Sequence, residues 1–374
     1  MRLKSGSSIK KIIDNLLHTS KRYYTTLYKP QNDFDPYHLT LLSLQLPKLV
    51  TMMALRHYGE QEFPVRSSEH MSCKIIFAKE ISASYREELK TTIKSRRIKP
   101  KLVGFLANED PASIKYAECT LKTCEETGIL FELRKCNREE LEDQIIKANE
   151  DDSIHGIMVY YPVFGDLQDK YLQNVVSVTK DVEGLCNFYQ NIPFLDEEPI
   201  KNCIIPCTPL AIIKVLEYIR VYNPVFLSGN RLHDRVITII NRSGIVGQPL
   251  AALLANEGGK VYSVDINNIQ EIYRETGLKL KKYEVRNTNL KLEEILPISD
   301  VVITGVPTSS YKVPTVLLRN GVIAINFSAF KNFEDNVKEK ASIYVPTVGK
   351  ITIAMLERNL LKLYDSQLSL RNEE

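Results

Sequence analysis

The chain has no apolar run approaching the roughly 20 residues that a membrane-spanning helix needs, so no membrane segment is expected. Its cysteines number seven, an odd count, and none stands in a C-x-x-C pair or at a Cys/His ligand spacing. A disulfide framework and a bound metal are therefore both disfavoured, and a reducing compartment is expected. Charge of one sign is equally scarce. The formal net charge of +3 is small and dispersed, and no RNA- or DNA-reading motif accompanies it, so a nucleic-acid partner is not expected. Internal repeats and low-complexity tracts are missing too. What is present, 44% hydrophobic and 25% charged residues over 374 positions, is the balance of a globular protein long enough for two domains.

One stretch carries more information than the rest. Val236–Ile240 is a short run of apolar and β-branched residues, which reads as a buried parallel strand. Small and polar residues with Gly244 and Gly247 follow, and Pro249 introduces the apolar run to Leu254 as a helix. The helix stops at Gly258-Gly259, and a second β-rich run, Lys260–Val264, closes on Asp265. A helix N-terminus beside a glycine turn offers backbone N–H groups and a positive dipole end to a pyrophosphate. A carboxylate some twenty residues on accepts the ribose hydroxyls and repels a 2′-phosphate, which points to NAD rather than NADP. The spacing departs from G-x-G-x-x-G because Asn241 holds the first position. As a bare motif, an ordinary strand–turn–helix explains it equally well, and Asp265 tilts the balance to a dinucleotide.

The first seventy residues differ from the rest. Their first thirty carry seven basic residues against the single acid Asp14, with Ile9, Ile12, Ile13, Leu16 and Leu17 near helical spacing. That is the pattern of an organelle transit peptide, and a poorly ordered extension is the alternative. A short helix over Leu39–Met53 is a further expectation. From Met71 the pattern predicts helices at Glu80–Lys94, Ile114–Thr127, Arg138–Asn149, Leu167–Val176 and Leu210–Arg220. Strands are predicted at Lys101–Ala107, Ile129–Lys135, Gly156–Tyr161, Asp300–Gly305, Gly321–Phe327 and Ser342–Val345. Arg274–Lys291 reads as a surface excursion, Thr352–Tyr364 as a closing helix and Asp365–Glu374 as a polar tail. Strand and helix alternating at this spacing give an α/β fold with a parallel sheet covered on both faces.

Several blocks in order then resemble one family. They are Lys79-Glu80-Ile81-Ser82-Ala83, Tyr116 with Gly128 twelve positions on, His155-Gly156-Ile157-Met158-Val159 and Lys180-Asp181-Val182-Glu183-Gly184. Pro206-Cys207-Thr208-Pro209, Arg242-Ser243-x-x-Val246-Gly247-x-Pro249 and Thr352-Ile353-Ala354-Met355-Leu356 complete the set. Over residues 71–365 the chain resembles the methylenetetrahydrofolate dehydrogenase/cyclohydrolase (FolD-like) family. The resemblance implies a folate-binding α/β domain over 71–207, to which a C-terminal helix at 350–365 returns. It implies a Rossmann-type NAD-binding domain over 208–349, with 1–70 as an N-terminal extension. It departs from the bifunctional members where they carry a lysine four residues after the tyrosine, since Thr120 stands there. Lys122, two residues further along a helix, points about 200° away. Tyr160 replaces a glutamine, Glu183 replaces an aspartate, and the loop before the last helix shortens to Pro346-Thr347-Val348-Gly349-Lys350. These changes resemble the monofunctional, NAD-dependent branch.

The resemblance implies NAD-dependent oxidation of 5,10-methylenetetrahydrofolate to the 5,10-methenyl cation in one-carbon and purine metabolism, without cyclohydrolase activity. A bifunctional enzyme with another group standing in for the lysine is the alternative, and a catalytically silent binding fold is a third. Tyr116 would stack on or line the pterin pocket, though an aromatic on a core-facing helix position looks the same. Glu183 would accept from the pterin amino edge, against the reading of a solvated turn charge, and Tyr160 would fill the altered folate pocket. Cys207 falls in the family's active site, although on the residues alone it reads as a buried structural cysteine. Arg242 and Ser243 would donate to the pyrophosphate, Asp265 with Ile266 would hold the ribose, and backbone groups of Thr304, Gly305 and Val306 would face the nicotinamide. Thr352 would reach the cofactor or act as a helix N-cap, and His155 would pack. A homodimer and a cytoplasmic location are expected, or a mitochondrial one if the basic start is a transit peptide.

Overall fold

The computed structural model describes residues 72–191, 203–274 and 283–373, without the side chains of 372 and 373. The readings made above for the first seventy residues lie outside them. The described residues form one compact unit containing two sheets. The chain opens with β1 (Lys74–Ile75) and α1 (Ala78–Arg96), then β2 (Lys101–Leu106), α2 (Pro111–Thr127), β3 (Leu130–Lys135), α3 (Leu141–Glu150), β4 (Gly156–Val159) and α4 (Leu167–Val175). It continues with α5 (Cys207–Tyr218), β5 (Val236–Ile240), α6 (Gly247–Asn256), β6 (Lys260–Val264), β7 (Ile269–Tyr273) and β8 (Glu284–Thr288). The series closes with β9 (Val301–Thr304), β10 (Val322–Asn326), β11 (Ala341–Val345) and α7 (Gly349–Glu373).

The small sheet has the order β3-β2-β4, all parallel, and its central strand is buried along almost its whole length. The larger sheet runs β1-β11-β10-β9-β5-β6-β7-β8. From β6 through β1 every pairing is parallel, and β7 and β8 add an antiparallel ribbon at the far edge. The order β6-β5-β9-β10-β11 contains a reversal between β5 and β9, where a doubly wound sheet opens a crevice beyond the strand ends. β1 pairs with β11, so the first strand of the described chain belongs to the large sheet although its neighbours in sequence build the small one.

Local sequence accounts for most element ends. Asp110 accepts from the N–H of Ser113 at 2.8 Å to cap α2, Pro111 fills its first turn, and Gly128 ends it at φ +89°. Two expectations are corrected. The stretch Arg274–Lys291, read as a surface excursion, contributes β8 and follows β7, because the open edge of β6 offers backbone groups to a returning strand; residues 275–282 lie outside the described set. The polar tail is helical and extends α7 to Glu373. Its polar residues are anchors: Asp365 pairs with Arg96, Gln367 Nε2 donates to the carbonyls of His155 (2.9 Å) and Thr179 (2.7 Å), and Arg371 donates to that of Asp152. Helix α7 thereby packs along α1, α5 and α2 and reaches the loops of the small sheet.

Candidate active site

The turn after α4 is held by Asp181, which is almost fully buried. Its carboxylate accepts from the N–H groups of Glu183 (3.1 Å), Gly184 (2.9 Å) and Cys186 (2.8 Å). Lys180, also buried, donates its ammonium protons to the carbonyls of Ala148, Asn149 and Asp151 and closes the end of α3. Gly184 is required at φ +71°, where a Cβ would stand 3.0 Å from Pro206 Cα. From α7, Asn359 donates to the carbonyls of Val182 (2.9 Å) and Ile205 (3.1 Å) and joins the turn to the segment before α5. The N–H of Cys207 completes the join by donating to the carbonyl of Glu183 at 3.1 Å.

These ties bring four of the expected residues together. Tyr116 on α2 and Tyr160 after β4 meet edge to face, with ring centroids 5.9 Å apart. Glu183 accepts from the N–H of Val159 at 3.0 Å. Burial, reinforced by the charge of Asp181, pushes its carboxyl up to about 8. The thiol of Cys207 is pushed upward by burial and then by Glu183, so it stays protonated and is a poor nucleophile. Tyr116 is likewise pushed well above the usual phenol range, first by burial and then by Cys207 and Glu183, and remains a proton donor. The phenol oxygen of Tyr160 is buried without a hydrogen-bond partner among the described residues. Thr120 is fully buried and donates to the carbonyl of Tyr116 at 2.9 Å, which commits its single proton to the backbone. His155 packs as expected: its Nδ1 accepts from the N–H of Lys101 at 3.0 Å and its ring lies 4.7 Å from that of Tyr364.

The second group surrounds the carboxyl end of β5. Asn241 takes φ +90°, the left-handed backbone that a dinucleotide fingerprint ordinarily gives to glycine, and its Nδ2 donates to the carbonyl of Gly305 at 2.7 Å. The missing first glycine is thereby explained, and the ends of β5 and β9 are tied at the switch point. Gly247 is indispensable to the turn, because a Cβ there would lie 2.2 Å from the carbonyl oxygen of Asn241. Gly244 is different: a Cβ would meet nothing within 4 Å, so the space beside it is open. Ser243 Oγ accepts from the N–H groups of Val246 and Gly247 at 3.3 Å, leaving its own proton to donate outward. Among the described residues the backbone N–H groups of Ser243, Gly244 and Ile245 meet no protein acceptor. An open space edged by free N–H donors at a helix start fits a pyrophosphate.

Arg242 requires a correction. Its guanidinium does not face that space. It donates to Ser263 Oγ (3.1 Å), the Ser263 carbonyl (2.6 Å), Asn268 Oδ1 (2.7 Å) and the Asn268 carbonyl (3.0 Å). The end of β6 presents acceptors that a five-donor fork satisfies, so Arg242 braces the turn carrying Asp265 instead of gripping a phosphate. Asp265 is exposed at that turn, with Oδ1 accepting from the N–H of Ile266, and Ile266 is 96% exposed. The backbone of Thr304, Gly305 and Val306 is more committed than expected. The N–H of Gly305 donates to the carbonyl of Ile240, that of Val306 donates to Asn332, and the Thr304 carbonyl accepts from Phe327. Each of the three carbonyls already accepts one hydrogen bond and keeps a second lone pair for a ligand, and among the described residues the buried hydroxyl of Thr304 has no partner. Thr352 does not cap α7, which begins at Gly349; it is buried within the first turns, its hydroxyl directed at the carbonyl of Val348.

Sequence reasoning missed the residues that hold the site: Asn359, Asn332 and Asn241 as a bridge. Lys180 and Asp181 lay inside a quoted motif, and their pattern was the available signal. No cluster of side chains suited to a metal occurs among the described residues.

Residues 76–183 match the family described as tetrahydrofolate dehydrogenase/cyclohydrolase, catalytic domain. A methylenetetrahydrofolate dehydrogenase [NAD(+)] of Schizosaccharomyces pombe is 54% identical over 310 residues, 81% of this chain and 97% of that one. The solved structure of the NAD-dependent 5,10-methylenetetrahydrofolate dehydrogenase from Saccharomyces cerevisiae superposes with a TM-score of 0.75 at 48% identity, covering 80% of this chain and 99% of that one. A bifunctional FolD protein of Thermotoga maritima is only 28% identical over 300 residues, 78% of this chain and 98% of its own length. The chain belongs to the tetrahydrofolate dehydrogenase/cyclohydrolase family, within its NAD(+)-dependent methylenetetrahydrofolate dehydrogenase branch.

Proposed function

We propose that the protein oxidises 5,10-methylenetetrahydrofolate to the 5,10-methenyl form with NAD and does not hydrolyse the product. The observation that carries this reading is the pair Thr120 and Tyr160. Thr120 is sealed in the core with its hydroxyl bonded to a backbone carbonyl, and the ring of Tyr160 is buried beside it, so neither residue supplies a base for ring opening. Oxidation makes smaller demands. Ring nitrogens of the folate stabilise the methenyl cation, and the protein's task is to position the one-carbon bridge and exclude water. Tyr116 lines the pterin, Tyr160 closes the floor, and Glu183 accepts from the donor edge of the ring. Cys207 contributes a neutral wall at the start of α5. Ser243 and the free N–H groups beside Gly244 hold the pyrophosphate, while Asp265, braced by Arg242, takes the ribose hydroxyls. NAD supplies the hydride acceptor when bound.

The division of labour follows the two sheets, with folate on the small-sheet lobe and NAD beyond the ends of β5 and β9. The odd count of seven cysteines, with no C-x-x-C pair, supports a reducing location, read here as the cytoplasm, and the reading includes a homodimer that feeds one-carbon units towards purine synthesis. Turnover on 5,10-methylenetetrahydrofolate tests the central claim. NADH should form with accumulating methenyl absorbance, NADP should be a poor substitute, and catalysed loss of that absorbance would replace this reading with a bifunctional one.

A further inference from the structure

Beyond the end of β9, where bare backbone was expected, the protein places an aromatic ring. Phe327 follows β10, and its side chain lies across the neighbouring strand. A Cβ on Gly305, one residue past β9, would overlap Cε2, Cζ and Cδ2 of that ring. Only a residue without a side chain admits so close an approach, so Gly305 seats the ring and has its own face covered by it. β9 and β10 are in register up to Thr304 opposite Asn326, which sets Gly305 beside Phe327 one step further on. The N–H of Phe327 donates to the carbonyl of Thr304 at 2.9 Å and fixes where the side chain starts. Asn326 donates to the carbonyl of Pro346 at 3.1 Å and ties the same strand end to the loop before α7. The ring packs on the core that the large sheet shares with α5, α6 and α7, yet Phe327 is only half-buried.

Its position along the sheet says what can meet it. The strands stand in the order β6, β5, β9, β10. Asp265 follows β6, and the open space beside Gly244 follows β5, so a dinucleotide laid from one to the other continues over β9 towards β10. Strands about 4.8 Å apart put the fourth end about 14 Å from the first, a distance that the extended molecule covers. Its nicotinamide end therefore arrives where the ring of Phe327 covers Gly305. Beside the ring, the carbonyls of Gly305 and Val306 each accept one hydrogen bond and keep a second lone pair. A flat apolar surface edged by carbonyl acceptors suits a nicotinamide, which is a flat ring carrying a carboxamide with two N–H donors.

We propose that Phe327 positions the nicotinamide: the reacting ring of NAD packs on it and is thereby held against the one-carbon bridge of the folate. The inference rests on the NAD reading given above and deepens it. Phe327 has no proton or lone pair to contribute, so its part is orientation, and a backing that Gly305 lets sink onto β9 confines the ring bound to it. Gly305 acts through Phe327 and not by its own contact with the cofactor.

The test compares NAD with ADP-ribose, which has the same adenosine and pyrophosphate but no nicotinamide. Phe327→Leu keeps most of the volume and removes the aromatic face, and Phe327→Ala removes both. By calorimetry on the full chain, each variant should bind NAD about 3- to 10-fold more weakly than the wild type, and ADP-ribose equally well. Turnover of 5,10-methylenetetrahydrofolate at saturating NAD should fall about 10-fold in Phe327→Leu and further in Phe327→Ala, with the KM for folate unchanged. Should Phe327→Ala be too unstable to measure, Phe327→Leu decides alone, since its grip on ADP-ribose reports a folded lobe. Equal losses for NAD and ADP-ribose mark a residue that only supports the fold, and overturn the proposal. Unchanged kcat in the variants overturns it too, as does tighter NAD binding in Phe327→Ala, which would mean that the ring blocks the pocket. Wild-type protein that binds neither NAD nor ADP-ribose removes the NAD reading itself, and the role of Phe327 with it.

Discussion

Glu183 and Asp265 are both carboxylates beyond the ends of parallel strands, yet the protein treats them in opposite ways. Glu183 lies near Tyr116 and Tyr160, is tied to the N–H of Val159, and has its carboxyl pushed up to about 8 by desolvation. Asp265 stands on an exposed turn, and its neighbours fix where it is without removing it from water. On the proposed function, selectivity in the small-sheet lobe would come from desolvation, so a proton matters there. In the large-sheet lobe it would come from backbone geometry and an exposed charge, so shape at the glycine turn should matter most and charge less.

The largest effect should follow from forcing shape on the large-sheet turn. Gly247→Ala puts a methyl group 2.2 Å from a backbone oxygen, with no flexible side chain to yield. A loss of stability of about 3 kcal/mol or more is expected, with NAD binding abolished, as read by thermal unfolding and calorimetry. Gly244→Ala provides the contrast. Its Cβ meets no protein atom, so the melting temperature should hold while NAD affinity drops about 10-fold or more, because the methyl group occupies space intended for pyrophosphate. Retained NAD affinity in Gly244→Ala would show that the open space is not a phosphate cradle.

Glu183 tests the other half of the comparison. The carboxylate, not the acid, accepts from a donor edge, and the free protein holds its carboxyl at about 8. The kcat/KM for folate should therefore rise with pH and level off above that value, since this quantity reports groups of the free enzyme. Glu183→Gln should flatten the profile and lower kcat/KM by about 10- to 100-fold, in line with the loss of a hydrogen bond to a charged group. NAD affinity should be untouched. A profile with the same midpoint in the variant would assign the titration to another residue.

Much of this was legible before the structure, and what was not has a physical reason. Strands β2, β5 and β9 declare themselves because strands buried on both faces must be apolar throughout, and α2 declares its ends through Asp110, Pro111 and Gly128. The dinucleotide turn was legible from Gly244, Gly247 and Asp265, whose chemistry is fixed by spacing. Side-chain direction was not. Arg242 was assigned to phosphate by its place in the chain, but the acceptors that capture it lie some twenty residues away on Ser263 and Asn268. Asp365, Gln367 and Arg371 read as a tail because local composition says nothing about distant carbonyls waiting for donors. Asn359 was invisible for the same reason: its value lies in two backbone oxygens that meet only after folding.

Glu357 separates burial from function. It is fully buried on α7 and accepts from Thr127, and its carboxyl, like that of Glu183, is pushed up to about 8 by burial, although it lies away from the reacting groups. A carboxyl raised from 4.5 in the unfolded chain binds more protons when folded, so its contribution to stability is complete below 4.5 and is lost as pH rises towards 8. The slope is about 1.4 kcal/mol per pH unit at its steepest. Glu357→Gln imitates the protonated form and should remove part of the decline in unfolding free energy between pH 5 and 8, leaving the pH profile of kcat/KM unchanged. If that profile moved instead, Glu357 would belong with the folate site.

The smallest effect should come from the exposed carboxylate. Asp265→Ser removes a charge that water already screens, while Arg242 continues to hold the turn through Ser263 and Asn268. A weakening of NAD binding by about 10-fold is expected, with NADP gaining because the repulsion of its 2′-phosphate is gone. Salt discriminates between the two carboxylates. Wild-type discrimination against NADP should shrink as ionic strength rises, since the repulsion acts through solvent, whereas the dependence of folate binding on Glu183 should barely respond. Full preference for NAD in Asp265→Ser would place selectivity in the geometry of the glycine turn, and both lobes would then work by shape and burial.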